Sequence, residues 1–132
     1  LQGNQIAVTG DIGELAGIGT LYLNGNQIAV TGDVGELAGI DYLNLIGNLI
    51  AVTYTSTTWS NAPTDRIWLL GQQTGLTATE VDNLFIDLSN ATTIPTSGNR
   101  LIQIIGNNAA PTAASLASRN FLISQGYTIT TN

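Results

Sequence analysis

Nine carboxylates and three arginines, with no lysine, histidine or cysteine, make up the strongly ionisable chemistry of this chain. Without histidine no side chain titrates near neutrality unless its pKa is shifted, and without cysteine there is no thiolate nucleophile, disulfide or thiolate metal site. Four of the carboxylates sit in a twice-repeated Gly-Asp-x-Gly-Glu-Leu, at residues 10–15 and 32–37, where Asp11, Glu14, Asp33 and Glu36 would align across neighbouring turns. Carboxylate oxygens suit Ca²⁺, but a shell of roughly six to eight oxygens is not visible, and an aspartate before a turn commonly accepts backbone N–H groups. Capping is therefore the expected role, and no metal site is assigned. Asp82 and Asp87 share a predicted helix with Glu80 and could be imagined as a general acid and base. No nucleophile accompanies them, and helix-dipole complementarity and solubility are simpler reasons for an outward placement. The expectation is a non-enzymatic protein that uses no cofactor.

Aromatic and arginine residues are better suited to recognition. Tyr22, Asn44, Trp68, Gln103 and Thr128 each lie between two apolar residues of a short alternating run, flanked by Tyr42, Arg66, Arg100 and Ile105. Alternation makes each run a strand and turns the middle residue away from the apolar pair. Tyr, Trp and Arg offer large contact area at modest entropic cost, so an outward row that carries them is a candidate contact surface. The plainer reading is a sheet surface filled by residues of high strand propensity. On the functional reading, Tyr22, Tyr42, Asn44, Arg66, Trp68, Arg100 and Gln103 are the expected ligand contacts.

These strands must be positioned by a repeat. Residues 3–18 recur as residues 25–40 with Ile12 replaced by Val34 as the single change, which sets a period of 22 residues. So short a unit cannot bury its own apolar side chains and has to stack on its neighbours. Aligned on the period, Leu21-x-Leu23-x-x-Asn26-x-Ile28 matches Leu43-x-Leu45-x-x-Asn48-x-Ile50, with Ile18 and Ile40 three positions before each first leucine. The amide of each asparagine can satisfy backbone groups inside such a stack, and Asn4, Asn26 and Asn48 are expected to form a ladder. Leu1 aligns with Leu23 and Leu45. That alignment, with no initiating Met, predicts a C-terminal fragment of a longer chain, its N-terminal edge continued by upstream repeats or covered by a partner subunit.

Beyond Val52 the regularity decays. Residues 53–65 read as an insertion loop, and Ile67-x-Leu69-x-x-Gln72 restores the strand. Thr77-x-x-Glu80 opens a helix over residues 77–89, with Val81, Leu84, Phe85 and Leu88 at helical spacing. Ile102-x-Ile104-x-x-Asn107 is the next strand. Pro111 and Gly126 then bracket a second helix whose Leu116, Ala117, Phe121, Leu122 and Ile123 are expected in the core, and Tyr127-x-Ile129 is the last strand. Asn90-Ala-Thr92 has the pattern of a glycosylation sequon, which matters only in a eukaryotic secretory setting that nothing in the chain supports.

The pattern Leu-x-x-Leu-x-Leu-x-x-Asn-x-Leu, with isoleucine substitutions, resembles the leucine-rich repeat family at every named position in two consecutive repeats. Gly106-Asn-Asn-Ala-Ala-Pro-Thr and Gln125-Gly-Tyr-Thr-Ile-Thr-Thr-Asn resemble the C-terminal leucine-rich-repeat-like units of bacterial surface and bacteriophage virion proteins. The resemblance implies an α/β solenoid of about five turns, with parallel strands on one face, tight loops in the early turns and helices in the last two. Residues 1–132 would form a single domain, regular over 1–52 and irregular over 53–132. It further implies a binding or adhesion module on a virion or a bacterial cell surface, engaging a protein or glycan through the strand face. The alternative is an architectural virion or surface-layer subunit that self-assembles as a homo-oligomer. The formal net charge of -6 repels phosphate backbones and anionic lipid, which argues against a nucleic-acid partner. No apolar run approaches the length needed for membrane insertion.

Overall fold

The Leu-x-Leu alternation does give strands. In a computed structural model that describes residues 11–26, 31–49, 51–69 and 74–132, five of them form one parallel sheet: β1 (Thr20–Tyr22), β3 (Tyr42–Asn44), β5 (Arg66–Leu69), β6 (Leu101–Ile104) and β7 (Thr128–Thr131). They lie side by side in chain order, each unit pairing with the next. The register aligns Leu21, Leu43, Ile67, Ile102 and Ile129 along one row. Of these, Leu21, Leu43, Ile67 and Ile102 are buried, as are Leu23, Leu45, Leu69 and Ile104 two positions on. Separately, β2 (Thr31–Asp33) and β4 (Ala51–Thr53) pair as a two-stranded parallel sheet. With helices α1 (Ala78–Ser89) and α2 (Leu116–Ser124) the architecture is mixed α/β.

The return path changes character along the chain. In the first units it is a 3-10 turn, Ile12–Leu15 and then Val34–Leu37, capped by Asp11 and Asp33. Asp11 accepts from the Gly13 N–H at 2.8 Å, and Asp33 from the Gly35 N–H at 2.7 Å. Asp33 also accepts the Thr55 N–H, so one carboxylate satisfies donors in two successive units. Gly35 is needed there because a Cβ would sit 2.4 Å from the Thr55 carbonyl oxygen. In later units helices replace the turns. α1 begins at the capping box of Thr77 and Glu80 and buries Val81, Leu84, Phe85 and Leu88. α2 follows a 3-10 turn, Ala113–Ser115, and its turn into β7 passes through Gly126 at a φ of 89°.

An asparagine ladder runs through the stack. The side-chain amide of Asn26 donates to Leu23 O at 2.9 Å, and that of Asn48 reaches back to the same carbonyl at 2.6 Å. In the helical units the role falls to Asn108, one residue after the expected Asn107: it donates to Leu69 O and Ile105 O and accepts from the Leu76 N–H. Asn132 extends the series, donating to Gly106 O and Asn108 O. Leu1, Asn4, Ile28, Ile50 and Gln72, which the sequence places in this pattern, lie outside the described residues.

Several expectations need correction. Residues 53–65 carry little regular structure but are no surface insertion, because Tyr54, Trp59 and Ala62 belong to the core. The Trp59 indole donates to the Tyr54 hydroxyl at 3.0 Å, which donates to Asp87 at 2.8 Å. Burial first, then the Asp87 contact, pushes the Tyr54 phenol pKa well up. Asp87 also accepts from Ser56 and the Thr57 N–H, so it fastens α1 to this segment instead of facing solvent. Asp82 is buried as well and accepts from the Thr112 N–H, the Thr112 hydroxyl and the Ser115 hydroxyl. Burial raises its pKa, but these hydrogen bonds and nearby Arg119 outweigh that and hold the carboxyl below its ordinary value. On α2 only Leu122 is buried, while Leu116, Phe121 and Ile123 are exposed. α2 meets α1, its preceding turn and β7, so one side of the helix is covered and the other is not. The last strand is also displaced by two residues. Ile129, not Tyr127, pairs with Ile102, while Tyr127 is buried ahead of the strand with its hydroxyl on Pro63 O at 2.8 Å and its pKa pushed up to about 12 by burial.

Candidate functional site

On the side of the five-stranded sheet opposite the leucines, two rows of side chains follow from the register. Thr20, Tyr42, Arg66, Leu101 and Thr128 form one row; Tyr22, Asn44, Trp68, Gln103 and Thr130 form the other. Thr128 therefore stands beside Leu101, and Thr130 takes the place beside Gln103 that the two-residue shift of β7 denies to Thr128.

Neighbouring strands bring four of the expected contact residues into a continuous stack. The Tyr22 and Tyr42 rings have centroids 4.1 Å apart with an interplanar angle of 29°. The Arg66 guanidinium carbon lies 5.1 Å from the Tyr42 ring centroid and 4.4 Å from that of Trp68. Each contact is within the range of ring stacking or cation–π attraction. Tyr22 is 42% exposed, whereas Tyr42, covered by its neighbours, is only 7% exposed. Burial first and then Tyr42 raise the pKa of the Tyr22 phenol, which stays a neutral hydrogen-bonding group at physiological pH. Asn44 departs from expectation: it is buried, and its side-chain oxygen accepts from the Ile46 N–H at 3.1 Å, closing the turn after β3. Gln103 is half-buried, one strand beyond Trp68. Ile105, half-buried just after β6, donates its N–H to Leu69 O.

Arg100 does not join the stack. It precedes β6 with a φ of 47°, and its guanidinium turns toward the junction of α2 and β7, where it donates to Gln125 O at 2.5 Å and to Pro95 O at 3.4 Å. Gly126 packs directly on it, since a Cβ there would sit 2.8 Å from the guanidinium. Arg100 is thus spent on structure, capping carbonyls that no regular element satisfies.

Two residues that the sequence did not single out hold Arg66 in place. Its Nε pairs with the Asp65 carboxylate at 3.0 Å, and Asn99 donates to the same oxygen at 2.8 Å. The Asn99 hydrogen bond foremost, then Arg66, lowers the Asp65 pKa against the opposing effect of burial, keeping it ionised. Asp65 was findable as the sequence neighbour of Arg66. Asn99 was not, because only the pairing of β5 with β6 brings it there.

Away from the stack, a polar hollow of about 270 Å³ is lined by Asp33, Gly35, Glu36, Thr55, Ser56 and Thr57. Backbone N–H groups already occupy both Asp33 oxygens. Among the described residues no three acidic side chains converge as metal ligands. The stack on the sheet brings together aromatic surface, the Arg66 cation with its Asp65 partner, and neutral polar side chains around them. No family model, no curated protein and no solved structure matches the chain.

Proposed function

We propose that this protein is a non-enzymatic binding module, a leucine-rich-repeat-like solenoid of about five turns that engages its ligand through the outer face of the sheet. The observation that carries the reading is the Tyr22–Tyr42–Arg66–Trp68 stack, which concentrates the residue types that dominate contact energetics on three neighbouring strands. The addition of strands in chain order and the asparagines that reach back to preceding units support the solenoid description. Display on a virion or bacterial surface, with a protein or glycan as ligand, rests on the resemblance of residues 106–112 and 125–132 to terminal units of such proteins. Retention of the chain on arrayed bacterial envelope glycans and proteins tests the module. Tyr22→Ala and Trp68→Ala should each weaken retention by about 1 kcal/mol or more while the unfolding midpoint holds. Undiminished retention in both variants would sink the site.

A second reading, an architectural subunit that self-assembles, is favoured by the exposed Leu116, Phe121 and Ile123 on α2 beside β7, which among the described residues pairs on one side only. Sedimentation over a concentration series separates the two readings. Assembly that Phe121→Ser abolishes supports the architectural role, and a monomer at all concentrations removes it.

A further inference from the structure

The three arginines are not equivalent. Arg100 is committed to the carbonyls of Gln125 and Pro95. Arg119 is committed to the Ser115 hydroxyl and Thr112 O. Arg66 uses its Nε on Asp65, but among the described residues neither of its terminal nitrogens has a hydrogen-bond partner. Its side chain is 21% exposed, so these nitrogens can be approached from solvent. The guanidinium is already held by Asp65 and lies within cation–π range of both the Tyr42 and the Trp68 ring. A ligand that engages it therefore loses little additional side-chain freedom.

We infer that Arg66 is a receptor for a single carboxylate, and that the ligand of the strand face is a sugar acid such as a uronate. This inference rests on the strand-face reading above. Two parallel N–H groups on a planar fork match the two oxygens of a carboxylate in geometry and charge. The surroundings select the rest of the ligand. A chain of net charge -6, with Asp65 already offsetting part of the field of the same guanidinium, repels polyanions and favours a ligand that carries a single negative charge. Beyond Tyr42 in the same stack, the exposed ring of Tyr22 offers a surface for the apolar face of a pyranose, and Thr20 and Gln103 on the same face offer hydroxyl and amide partners. The platform is three strands wide, roughly 10 Å from β1 to β5 at normal strand spacing. That suits one or two sugar rings and falls far short of a protein interface of about 800 Å² per partner.

The test uses a disaccharide carrying one terminal glucuronate, its methyl ester, and a tripeptide with a free C-terminal carboxylate, each titrated into the full chain at low salt. Binding is read from the NMR signals of Arg66 Nε, the Trp68 indole and the Tyr22 ring. The acid should shift all three saturably and bind at least about tenfold more tightly than its ester. Arg66→Gln should erase the difference between acid and ester while the remaining amide spectrum stays folded. Asp65→Asn, which removes the competing negative charge, should tighten binding of the acid and not of the ester. Equal binding of acid and ester at these residues overturns the carboxylate inference and leaves the strand-face reading standing. Tighter binding of the tripeptide than of the disaccharide overturns the sugar assignment. No response to either sugar overturns the inference, whereas failure of the strand-face reading itself is registered separately by retention of Tyr22→Ala and Trp68→Ala at wild-type strength.

Discussion

Residues 11–18 and 33–40 have the same sequence except at one position, yet they do not have the same structure around them. Ile40 is 2% exposed, while its counterpart Ile18 is 40% exposed. Leu37 is fully within the core, whereas Leu15 is only partly buried against it. Asp11 caps its own 3-10 turn; Asp33 caps its turn and also holds the Thr55 N–H of the following unit. The second copy lies between described units on both sides, and the extra bond of Asp33 comes from Thr55 in the unit that follows. Repeats therefore encode a shape that can be stacked, and the neighbour supplied by the fold decides how much each side chain contributes.

Cavity formation gives the largest expected contrast. Ile40→Ala should destabilise the chain by about 2–5 kcal/mol, and Ile18→Ala by less than about 0.5 kcal/mol, as read from urea unfolding midpoints. Equal losses at the two sites would break the comparison. Next in size is the extreme form of what Asp33 does, a carboxylate bridging successive units. Asp82→Asn should cost about 1–3 kcal/mol, because the donors of Thr112 and Ser115 lose their charged acceptor. The pKa of Asp82 is depressed in the folded state, so its stabilisation is fully present above the ordinary value of 3.8 and is lost as pH falls through the folded value. The stability gap between wild type and Asp82→Asn should accordingly narrow below pH 3.8; a gap that widens on acidification contradicts the hydrogen-bond assignment. Smallest is the pair of caps. Thermal unfolding should show Asp33→Ala costing about 1–2 kcal/mol and Asp11→Ala about 0.5–1 kcal/mol, the excess measuring the extra bond to Thr55. If the Asp11 variant loses more, the bridge to Thr55 contributes nothing.

Much of the fold was legible in the sequence wherever the signal is local. The alternation in Leu21-x-Leu23 and Leu43-x-Leu45 fixes which side chains enter the core, because the period of a strand is two. Thr77 and Glu80 fix the start of α1, because both halves of a capping box lie within one turn. The candidate site was legible as two outward rows, since Tyr22 and Trp68 each sit one residue after the inward leucine or isoleucine of their strand and Tyr42 and Arg66 one residue before it. The misplaced elements share a cause. Near β7, Tyr127-x-Ile129 and Ile129-x-Thr131 both fit an alternating strand, and only pairing with β6 chooses the second. Arg100 resembled an outward residue because it precedes a strand as Asp65 does, but a φ of 47° reverses the backbone there. Leu116, Phe121 and Ile123 looked like core because they are apolar residues within a helix, but their spacings of five and two residues do not place them on one face, and only Leu122 turns inward.

By itself the sequence determined the repeat length, read from a recurrence at 22 residues, and the inward rows, the caps and the first helix, which depend on residues a few positions apart. The tertiary structure alone decided which carboxylate meets which donor, which arginine keeps a free fork and which apolar side chains stay exposed. Asp82 meets Thr112 across 30 positions and Asp65 meets Asn99 across 34, and over such separations no spacing rule operates, only the stacking of one unit on the next.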